Sequence, residues 1–201
     1  MVKGRKKLSV IISGMPSVGK TTAAESIAKK FGLRHLAGGD MLKQIAIECG
    51  YKPSGSDWWD SEQGMAFLSE RKNNAEFDKE VDRRLVRNLK LGNVVITSYP
   101  LPWITDVGLK LWFEASAKTR AKRLAGRDSI SVAKALKIIN QRDSKNRRLY
   151  KQIYGISFGK DLTPFHYIVD TEKLGAIEVA EVSCRIVTEY LNASRSSRNV
   201  K

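Results

Sequence analysis

A glycine-rich octapeptide near the amino terminus constrains this chain more than any other feature of its sequence. Residues 14–21 read GMPSVGKT and match the pattern G-x-x-x-x-G-K-[ST] without a mismatch. Residues 7–13 before it are typical of a short buried strand, and the apolar face of residues 23–31 after it predicts a helix. Strand, loop and helix in this order form a cradle of backbone N–H groups for phosphate oxygens, with a helix amino terminus behind it.

Each position of this loop predicts a contact with a nucleoside triphosphate. The Lys20 ammonium would reach the β- and γ-phosphates as a catalytic group, and the Thr21 hydroxyl would bind Mg²⁺, the expected cofactor. A glycine turn that matches by chance is disfavoured, because the motif and its strand–loop–helix context coincide. The candidate ATP-binding residues are Gly14, Met15, Pro16, Ser17, Val18, Gly19, Lys20, Thr21 and Thr22.

The rest of the chain alternates β-branched runs with helical patterns. Further strands are predicted at 34–36, 94–97, 109–113 and 166–170, and helices at 41–49, 62–71, 77–91, 116–127, 131–154 and 176–191, with a loop at 101–106. This alternation predicts an α/β fold with a three-layer P-loop NTPase core, in which helices cover both faces of a parallel sheet of about five strands. Asp40 could cap the helix at 41–49.

One domain is expected over residues 1–194. Its core would comprise residues 7–37, 92–119 and 162–193, and residues 195–201 would form a basic, flexible tail. No apolar run approaches the ~20 residues that cross a bilayer. We therefore expect a cytoplasmic protein without a membrane partner. A monomer is the expected oligomeric state, although no sequence pattern specifies it.

Positive charge is abundant and unevenly placed. The chain has 36 Lys and Arg against 21 Asp and Glu, a net charge of +15. Residues 118–151 carry 12 basic and only two acidic side chains, and the tips 3–7 and 195–201 add 7 more basic ones. This distribution suits a polyanionic ligand, either nucleotide phosphates or a nucleic-acid backbone, although a solvated basic surface is the alternative for the tips.

Motifs along most of the chain resemble those of archaeal-type cytidylate kinases, P-loop nucleoside monophosphate kinases related to adenylate kinase. Residues 39–43 (GDMLK) resemble the family's G-D-x-[LF]-R segment, and residues 77–84 (FDKEVDRR) resemble its ID-x-x-ID-x-R helix. Residues 92–96 (GNVVI) match its GNVV strand, and residues 120–127 (RAKRLAGR) match its R-x-x-R-x-x-x-R helix. Parts of 140–156 and residues 169–171 continue the resemblance in the same order.

The resemblance implies transfer of the ATP γ-phosphoryl group to CMP or dCMP, giving CDP or dCDP and ADP. It also implies a helical acceptor-binding arm over 38–91 and an Arg-rich lid over 120–155. Guanidinium groups suit the equatorial oxygens of a transferred phosphoryl group, although single lid arginines could equally be surface residues. The implied catalytic residues besides Lys20 are Arg123, Arg127, Arg142 and Arg147, and the implied acceptor-binding residues are Asp40, Lys43, Asp82, Arg83 and Tyr99.

The strand at 94–97 departs from the family pattern in two charged residues, one expected at its end and one just after it. Family members carry an acidic residue, then Gly and Arg, whereas this chain has Thr97, Ser98 and Tyr99. The acid normally holds the water shell of Mg²⁺ and the Arg pairs with the acceptor, so neither task has its usual side chain. Tyr99 and Trp103, like the pair Trp58 and Trp59, could contact a base, or could simply pack.

Two alternative functions remain open from the sequence. The acceptor could be AMP, UMP or another small molecule, because base contacts come from loops without a code. Alternatively, the chain could be a decayed kinase that binds ATP and uses its basic lobe on nucleic acid, as Thr97, Tyr99 and the net charge favour. Lys43 and the lid arginines oppose that second alternative, and the absence of a recognised RNA-binding motif disfavours a nucleic-acid partner.

Overall fold

A parallel five-stranded sheet in the order β2-β3-β1-β4-β5 forms the centre of the computed structural model, which describes residues 7–52 and 62–199. The strands are β1 Ser9–Gly14, β2 Arg34–Ala37, β3 Val94–Thr97, β4 Leu109–Glu114 and β5 Tyr167–Asp170. All six residues of β1 are buried, because this strand lies between β3 and β4 and is covered on both faces. The predicted parallel sheet of about five strands is confirmed.

Helices cover both faces of this sheet. They are α1 Lys20–Phe31, α2 Gly38–Glu48, α3 Glu62–Asn73, α4 Glu76–Leu91, α5 Leu101–Ile104, α6 Ala117–Asp128, α7 Val132–Tyr154 and α8 Ala176–Asn199. Val10 and Ile12 of β1 pack in one apolar core with α1 and α8, while Ile11 packs in a second core with α2 and α4. The alternation of side chains along β1 therefore separates the two layers.

The helical hairpin of α6 and α7 has an apolar core of its own. Ala121 and Leu124 of α6 pack against Ala135 and Ile139 of α7. Ser116 and Ser131 cap the two helices by accepting hydrogen bonds from the N–H groups of Thr119 and Lys134. The hairpin thus has stabilising contacts of its own, and its other side chains are available to contact the rest of the protein.

Most element boundaries lie within one or two residues of the sequence predictions, and three elements differ by more than that. Residues 101–104 form helix α5 instead of a loop, because Pro102 is compatible with the first turn of a helix. Ala37, not Asp40, is the cap residue of α2, so Asp40 lies within the first turn. Helix α8 was predicted to end at Leu191 but continues to Asn199, since no Gly or Pro interrupts residues 192–199.

Some sequence predictions remain untested by this structure. Trp58 and Trp59 lie outside the described residues, as does most of the basic amino-terminal tip at 3–7. The division into core, arm, lid and flexible tail also stays a prediction. Within residues 7–52 and 62–199, no helix combines the length and apolar character that spanning a bilayer requires.

Candidate active site

The loop between β1 and α1 has the backbone of a phosphate cradle. Gly14, Ser17 and Gly19 adopt positive φ angles of 145°, 63° and 94°. A Cβ atom on Gly14 would lie 2.2 Å from the carbonyl oxygen of Phe113, so only glycine fits where the loop leaves the sheet. Helix α1 begins at Lys20, and its first turn therefore follows directly on the loop, as the sequence predicts.

Lys20 lies inside this loop. Its Nζ donates hydrogen bonds to the carbonyl oxygens of Gly14 and Met15, at 2.9 and 2.8 Å, and lies 4.9 Å from the ring centroid of Tyr99. Burial, reinforced by the positive charge of Arg120, lowers the pKa of Lys20 to about 7. A polyphosphate in the loop would favour the charged ammonium, so Lys20 and an anionic ligand stabilise each other.

A cavity of about 530 Å³ opens beside Lys20, within the range typical of small-molecule sites. Its walls come from four parts of the chain: the phosphate loop, helices α2, α3 and α4, the end of β3, and helix α7. The lining residues are Lys20, Ala37, Gly38, Gly39, Leu42, Arg71, Asp78, Val81, Asp82, Thr97, Ser98, Tyr99, Pro100, Arg142, Asn146 and Tyr150.

Helices α3 and α4 contribute one guanidinium and two carboxylates to the cavity wall. Arg71 of α3 donates to both carboxylate oxygens of Asp78, at 2.7 and 3.0 Å. Asp82 lies one turn further along α4, is 4% exposed, and accepts a hydrogen bond of 2.6 Å from the Tyr154 hydroxyl of α7. Burial raises the pKa of Asp82 to about 7, and the neighbouring charge of Asp78 adds to the shift.

Helix α7 contributes the opposite wall with Arg142, Asn146 and Tyr150, which recur every four residues and thus share one face. Asp143 beside them accepts two hydrogen bonds from Arg120 of α6, at 2.7 and 3.0 Å. This pair is buried, with side-chain exposures of 5% and 8%.

Arg120 also connects the α6–α7 hairpin to the core. It donates to the carbonyl oxygen of Ala115 at 3.1 Å and to that of Pro16, in the phosphate loop, at 3.4 Å. Losing one partner of a buried ion pair typically costs about 3–5 kcal/mol. The Arg120–Asp143 pair therefore fixes α7 relative to the phosphate loop.

The end of β3 places neutral side chains where the family resemblance implied charged ones. Thr97, 9% exposed, lines the cavity and pairs in register with Ile12 just before the phosphate loop. The backbone of Tyr99 is fixed by a 2.8 Å hydrogen bond from the Ser13 hydroxyl to its carbonyl oxygen. Burial raises the pKa of Tyr99, so its hydroxyl stays protonated.

Four of the side chains predicted as catalytic or acceptor-binding line this cavity: Lys20, Asp82, Tyr99 and Arg142. Asp40 and Lys43 lie on α2, outside the lining. Arg83 is exposed and pairs with Glu76 and Glu80 of its own helix.

The remaining lid arginines have other contacts in this structure. Arg123 donates to the Thr171 hydroxyl and to the carbonyl oxygens of Thr171 and Leu174, and so fixes α6 to the segment after β5. Arg127 is 62% exposed and pairs with Asp128, and Arg147 is exposed. Their catalytic roles stay predictions.

The sequence interpretation missed several side chains of the cavity. Arg71, Asp78, Asn146 and Tyr150 line it but were not candidates. The spacing of Asp78 and Asp82 by four residues was a usable signal, because it places both carboxylates on one face of a helix. No local signal pointed to Arg71, whose role depends on the contact between α3 and α4.

The parallel sheet and the phosphate loop together define the class as P-loop proteins with a three-layer α/β core. A shikimate kinase from Bacteroides thetaiotaomicron superimposes with a TM-score of 0.58 at 18% identity, covering 93% of this chain and 99% of the other. A gluconokinase from Sinorhizobium meliloti 1021 gives 0.55 at 13% identity, with coverages of 96% and 99%. At these identities the similarity shows the fold alone.

Sequence comparison identifies the family within this class. Residues 9–173 match the profile of the cytidylate kinase-like family, and the chain belongs to that family. The cytidylate kinase of Pyrococcus horikoshii is 34% identical over 84% of this chain and 82% of its own length. That of Methanocaldococcus jannaschii is 33% identical, over 82% and 88%, and that of Pyrobaculum arsenaticum 32%, over 94% and 97%. The family resemblance inferred from the motifs is confirmed.

Proposed function

We propose that this protein is a phosphotransferase that moves the γ-phosphoryl group of ATP to CMP, giving ADP and CDP. Membership of the cytidylate kinase-like family supports the reaction. The observation that carries the proposal is the cavity itself, which joins Lys20 of the phosphate loop to a wall of charged and hydrogen-bonding groups from α3, α4 and α7. A cytoplasmic location and a monomeric state remain part of the proposal.

The donor would bind through the phosphate loop. Backbone N–H groups of the loop and the Lys20 ammonium would hold its phosphates, and the exposed Thr21 hydroxyl would contribute to Mg²⁺ binding. These residues fit the ion, because Mg²⁺ on a nucleotide takes most ligands from phosphates and water. Among the described residues, no cluster of three or more His, Cys, Asp or Glu side chains suits a metal, so the protein would supply hydroxyls. The bound ion would supply charge neutralisation.

The acceptor would occupy the part of the cavity between α4 and α7. Its phosphate would face the cations Lys20, Arg71 and Arg142, and Arg142 could supply the positive charge that Tyr99 lacks. Its base would face Asp82, because a carboxylate oxygen accepts well from the 4-amino group of cytosine. The reaction needs no covalent intermediate, since in-line positioning and charge stabilisation account for phosphoryl transfer.

A coupled assay of ADP release tests this proposal with CMP, dCMP, UMP and AMP as acceptors. We expect the fastest turnover with CMP or dCMP, and chromatography should show one CDP or dCDP for each ADP. Lys20→Met is the control: it should lose transfer by about 10²-fold or more, because its charge serves the phosphates, while its circular dichroism spectrum stays unchanged.

Two results would contradict the assignment. An active Lys20→Met enzyme would remove the phosphate loop from the mechanism. A wild-type protein that binds ATP but transfers to none of the four acceptors would favour the decayed, nucleotide-binding alternative, for which the neutral Thr97 and Tyr99 are the supporting observation.

A further inference from the structure

The outer face of α7 carries a straight row of basic and amide side chains, here called the basic stripe. Its members recur at intervals of three or four residues, lie within about 80° of one another around the helix axis, and extend over about 27 Å. All are exposed: Lys134, Lys137, Gln141, Lys145, Arg148 and Gln152.

The positive charge of the stripe is not neutralised locally. The only acidic residues of α6 and α7 are Asp128, which pairs with Arg127, and Asp143, which is buried against Arg120. None of the four stripe cations takes part in the salt bridges found within residues 7–52 and 62–199.

Helix α4 shows the usual arrangement for comparison. There Arg83 and Arg84 pair with Glu76, Glu80 and Glu48, so the exposed charge alternates in sign. An ordinary solvated helix face is expected to look like α4, whereas α7 presents a field of one sign.

The stripe is also separate from the active site. Asn146 and Tyr150, which line the cavity, lie on the opposite side of α7, together with the buried Asp143. Arg142, the third cavity-lining residue of α7, lies between the two faces, about 100° from the centre of the stripe. The stripe cations are therefore not placed to touch ATP or the acceptor, and the kinase reaction does not account for them.

We propose that the basic stripe binds the sugar–phosphate backbone of a nucleic-acid duplex, an interaction that goes beyond the proposed kinase activity. The four cations suit phosphates, and the amides of Gln141 and Gln152 suit phosphate or sugar oxygens. The stripe contains no aromatic side chain on which unpaired bases could stack, which favours duplexes over single strands and reading of the backbone over the bases.

An anionic membrane fits this surface less well than a nucleic acid. A helix that binds at a lipid surface needs an apolar face to bury in the interface. Ala135, Ile139 and Tyr150 on the apolar face of α7 are buried within the protein. Val132 and Leu136 at the amino-terminal end of α7 are exposed, but they lie on the side of the helix away from the stripe. Binding through the stripe therefore depends on charge, and the regularly spaced phosphates of a duplex match a linear row of charges.

Fluorescence anisotropy with labelled 20-base-pair RNA and DNA duplexes of mixed sequence tests the proposal. The stripe variant is Lys134→Gln/Lys137→Gln/Lys145→Gln/Arg148→Gln. The matched control, Lys29→Gln/Lys90→Gln/Lys160→Gln/Lys173→Gln, removes four exposed lysines elsewhere and has the same net charge. Titrations at 50–200 mM salt give the dissociation constant and its salt dependence. Circular dichroism spectra check the folds of both variants, and the kinetics of CMP phosphorylation check their active sites.

Wild type should bind at least one duplex. In a plot of the logarithm of the association constant against the logarithm of the salt concentration, the stripe should contribute about −4 to the slope, as expected for four phosphate contacts. The stripe variant should lose that contribution and bind at least tenfold more weakly at 100 mM salt, while the control changes by less than threefold. Binding of both duplexes would indicate backbone recognition alone, and binding of one would identify the natural partner as RNA or DNA.

Four results would overturn the proposal. Wild type could bind neither duplex at 50 mM salt, or both quadruple variants could weaken binding equally, which would reduce the effect to net charge. The stripe variant could raise KM for ATP or CMP while duplex binding stays unchanged, which would make the stripe an attractor of small anions. Phosphatidylserine vesicles could bind through the stripe while duplexes do not. Because duplex binding and phosphoryl transfer are measured separately, failure of the kinase assignment would leave this test intact.

Discussion

Asp82 is the residue at which the cost of a buried charge is most evident. It is nearly inaccessible, shares one helix face with Asp78, and has one hydrogen-bond donor, the Tyr154 hydroxyl. Burial and the Asp78 charge raise its pKa to about 7 from an ordinary 3.8, although Arg71 and Tyr154 oppose the shift. A ligand that donates a hydrogen bond to this carboxylate would offset part of that cost, as an amino group on an acceptor base does.

Asp82→Asn should therefore become increasingly stabilising as the pH rises. In the wild type, the unfolded state releases the Asp82 proton near pH 4, whereas the folded state holds it until about pH 7, so this group's contribution to stability falls across that window. Relative to wild type, the free energy of unfolding of Asp82→Asn should rise by about 2–3 kcal/mol between pH 5 and pH 8.

Urea unfolding at both pH values measures this difference. Asp106→Asn, at an exposed position, is the control for the loss of one carboxylate. A difference between Asp82→Asn and wild type that does not change with pH would mean that the Asp82 carboxylate is better solvated or better paired than its surroundings indicate.

At the scale of single residues, the sequence predicted those whose role is written in a local pattern. The loop glycines and Lys20 belong to one contiguous motif, and Asp82 and Tyr99 to short segments with a family likeness. The roles of Arg71 and Arg120 could not be predicted from the sequence, because the ion-pair partner of each guanidinium is determined by how the helices pack. Arg120 shows this well: the arginine motif at residues 120–127 gives no sign that its first member is buried against Asp143.

At the scale of elements, helix α7 separates two chemistries on two faces. One face brings Arg142 and Asn146 to the cavity, and the other carries the exposed basic stripe. Arg142 and Arg147 are five residues apart and thus point about 140° away from each other. Both were predicted to be catalytic, but only Arg142 lines the cavity.

Arg142→Ala should accordingly lower kcat/KM for CMP phosphorylation by about tenfold or more, whereas Arg147→Ala should stay within about twofold of wild type. Steady-state kinetics with varied ATP and varied CMP measure both. Separate kcat and KM values would show whether Arg142 acts in the transition state or in binding. An equal loss in the two variants would indicate that α7 turns or shifts to bring Arg147 to the phosphates during turnover.

Secondary-structure elements were predictable where their pattern and their stop signals agreed. Gly32, Gly92 and Gly155 end α1, α4 and α7 as C-cap residues with positive φ angles. The end of α8 was not predictable, because its Ser- and Arg-rich sequence resembles a frayed tail. Ser194 illustrates the local compensation, since its hydroxyl donates back to the Tyr190 carbonyl oxygen at 2.8 Å.

At the scale of the whole molecule, the cavity is lined by residues that are far apart in the sequence. Lys20 follows the phosphate loop after β1, Thr97 ends β3, Arg71 and Asp82 lie on α3 and α4, and Tyr150 lies on α7. A ligand that contacts all of these parts ties them together, and anything that binds only the folded state stabilises it in proportion to RT ln(1 + [L]/Kd). The change in melting temperature on adding a ligand therefore measures binding at this cavity even when no phosphoryl transfer occurs.

The Thr97→Asp variant uses this link between ligand binding and stability to test the effect of the missing acid at the end of β3. A carboxylate at this nearly buried position costs stability unless a cation or hydrogen bonds compensate it. We expect a melting temperature below that of wild type without ligand, and a larger rise on adding Mg-ATP, because the new carboxylate would hold the water shell of the ion. The Mg²⁺ concentration for half-maximal rate should also fall.

Thr97→Asn is the matched control for this prediction, since it has the same shape without the charge. It should neither gain stability from Mg-ATP beyond wild type nor change the Mg²⁺ requirement, which separates the effect of charge from that of packing. If Thr97→Asp behaves like wild type in both the melting and the Mg²⁺ titrations, residue 97 does not face the metal. The missing acid at the end of β3 then has no effect on how this chain binds Mg²⁺. If Thr97→Asp transfers phosphate and wild type does not, the threonine marks a kinase that has lost its reaction while keeping its nucleotide site.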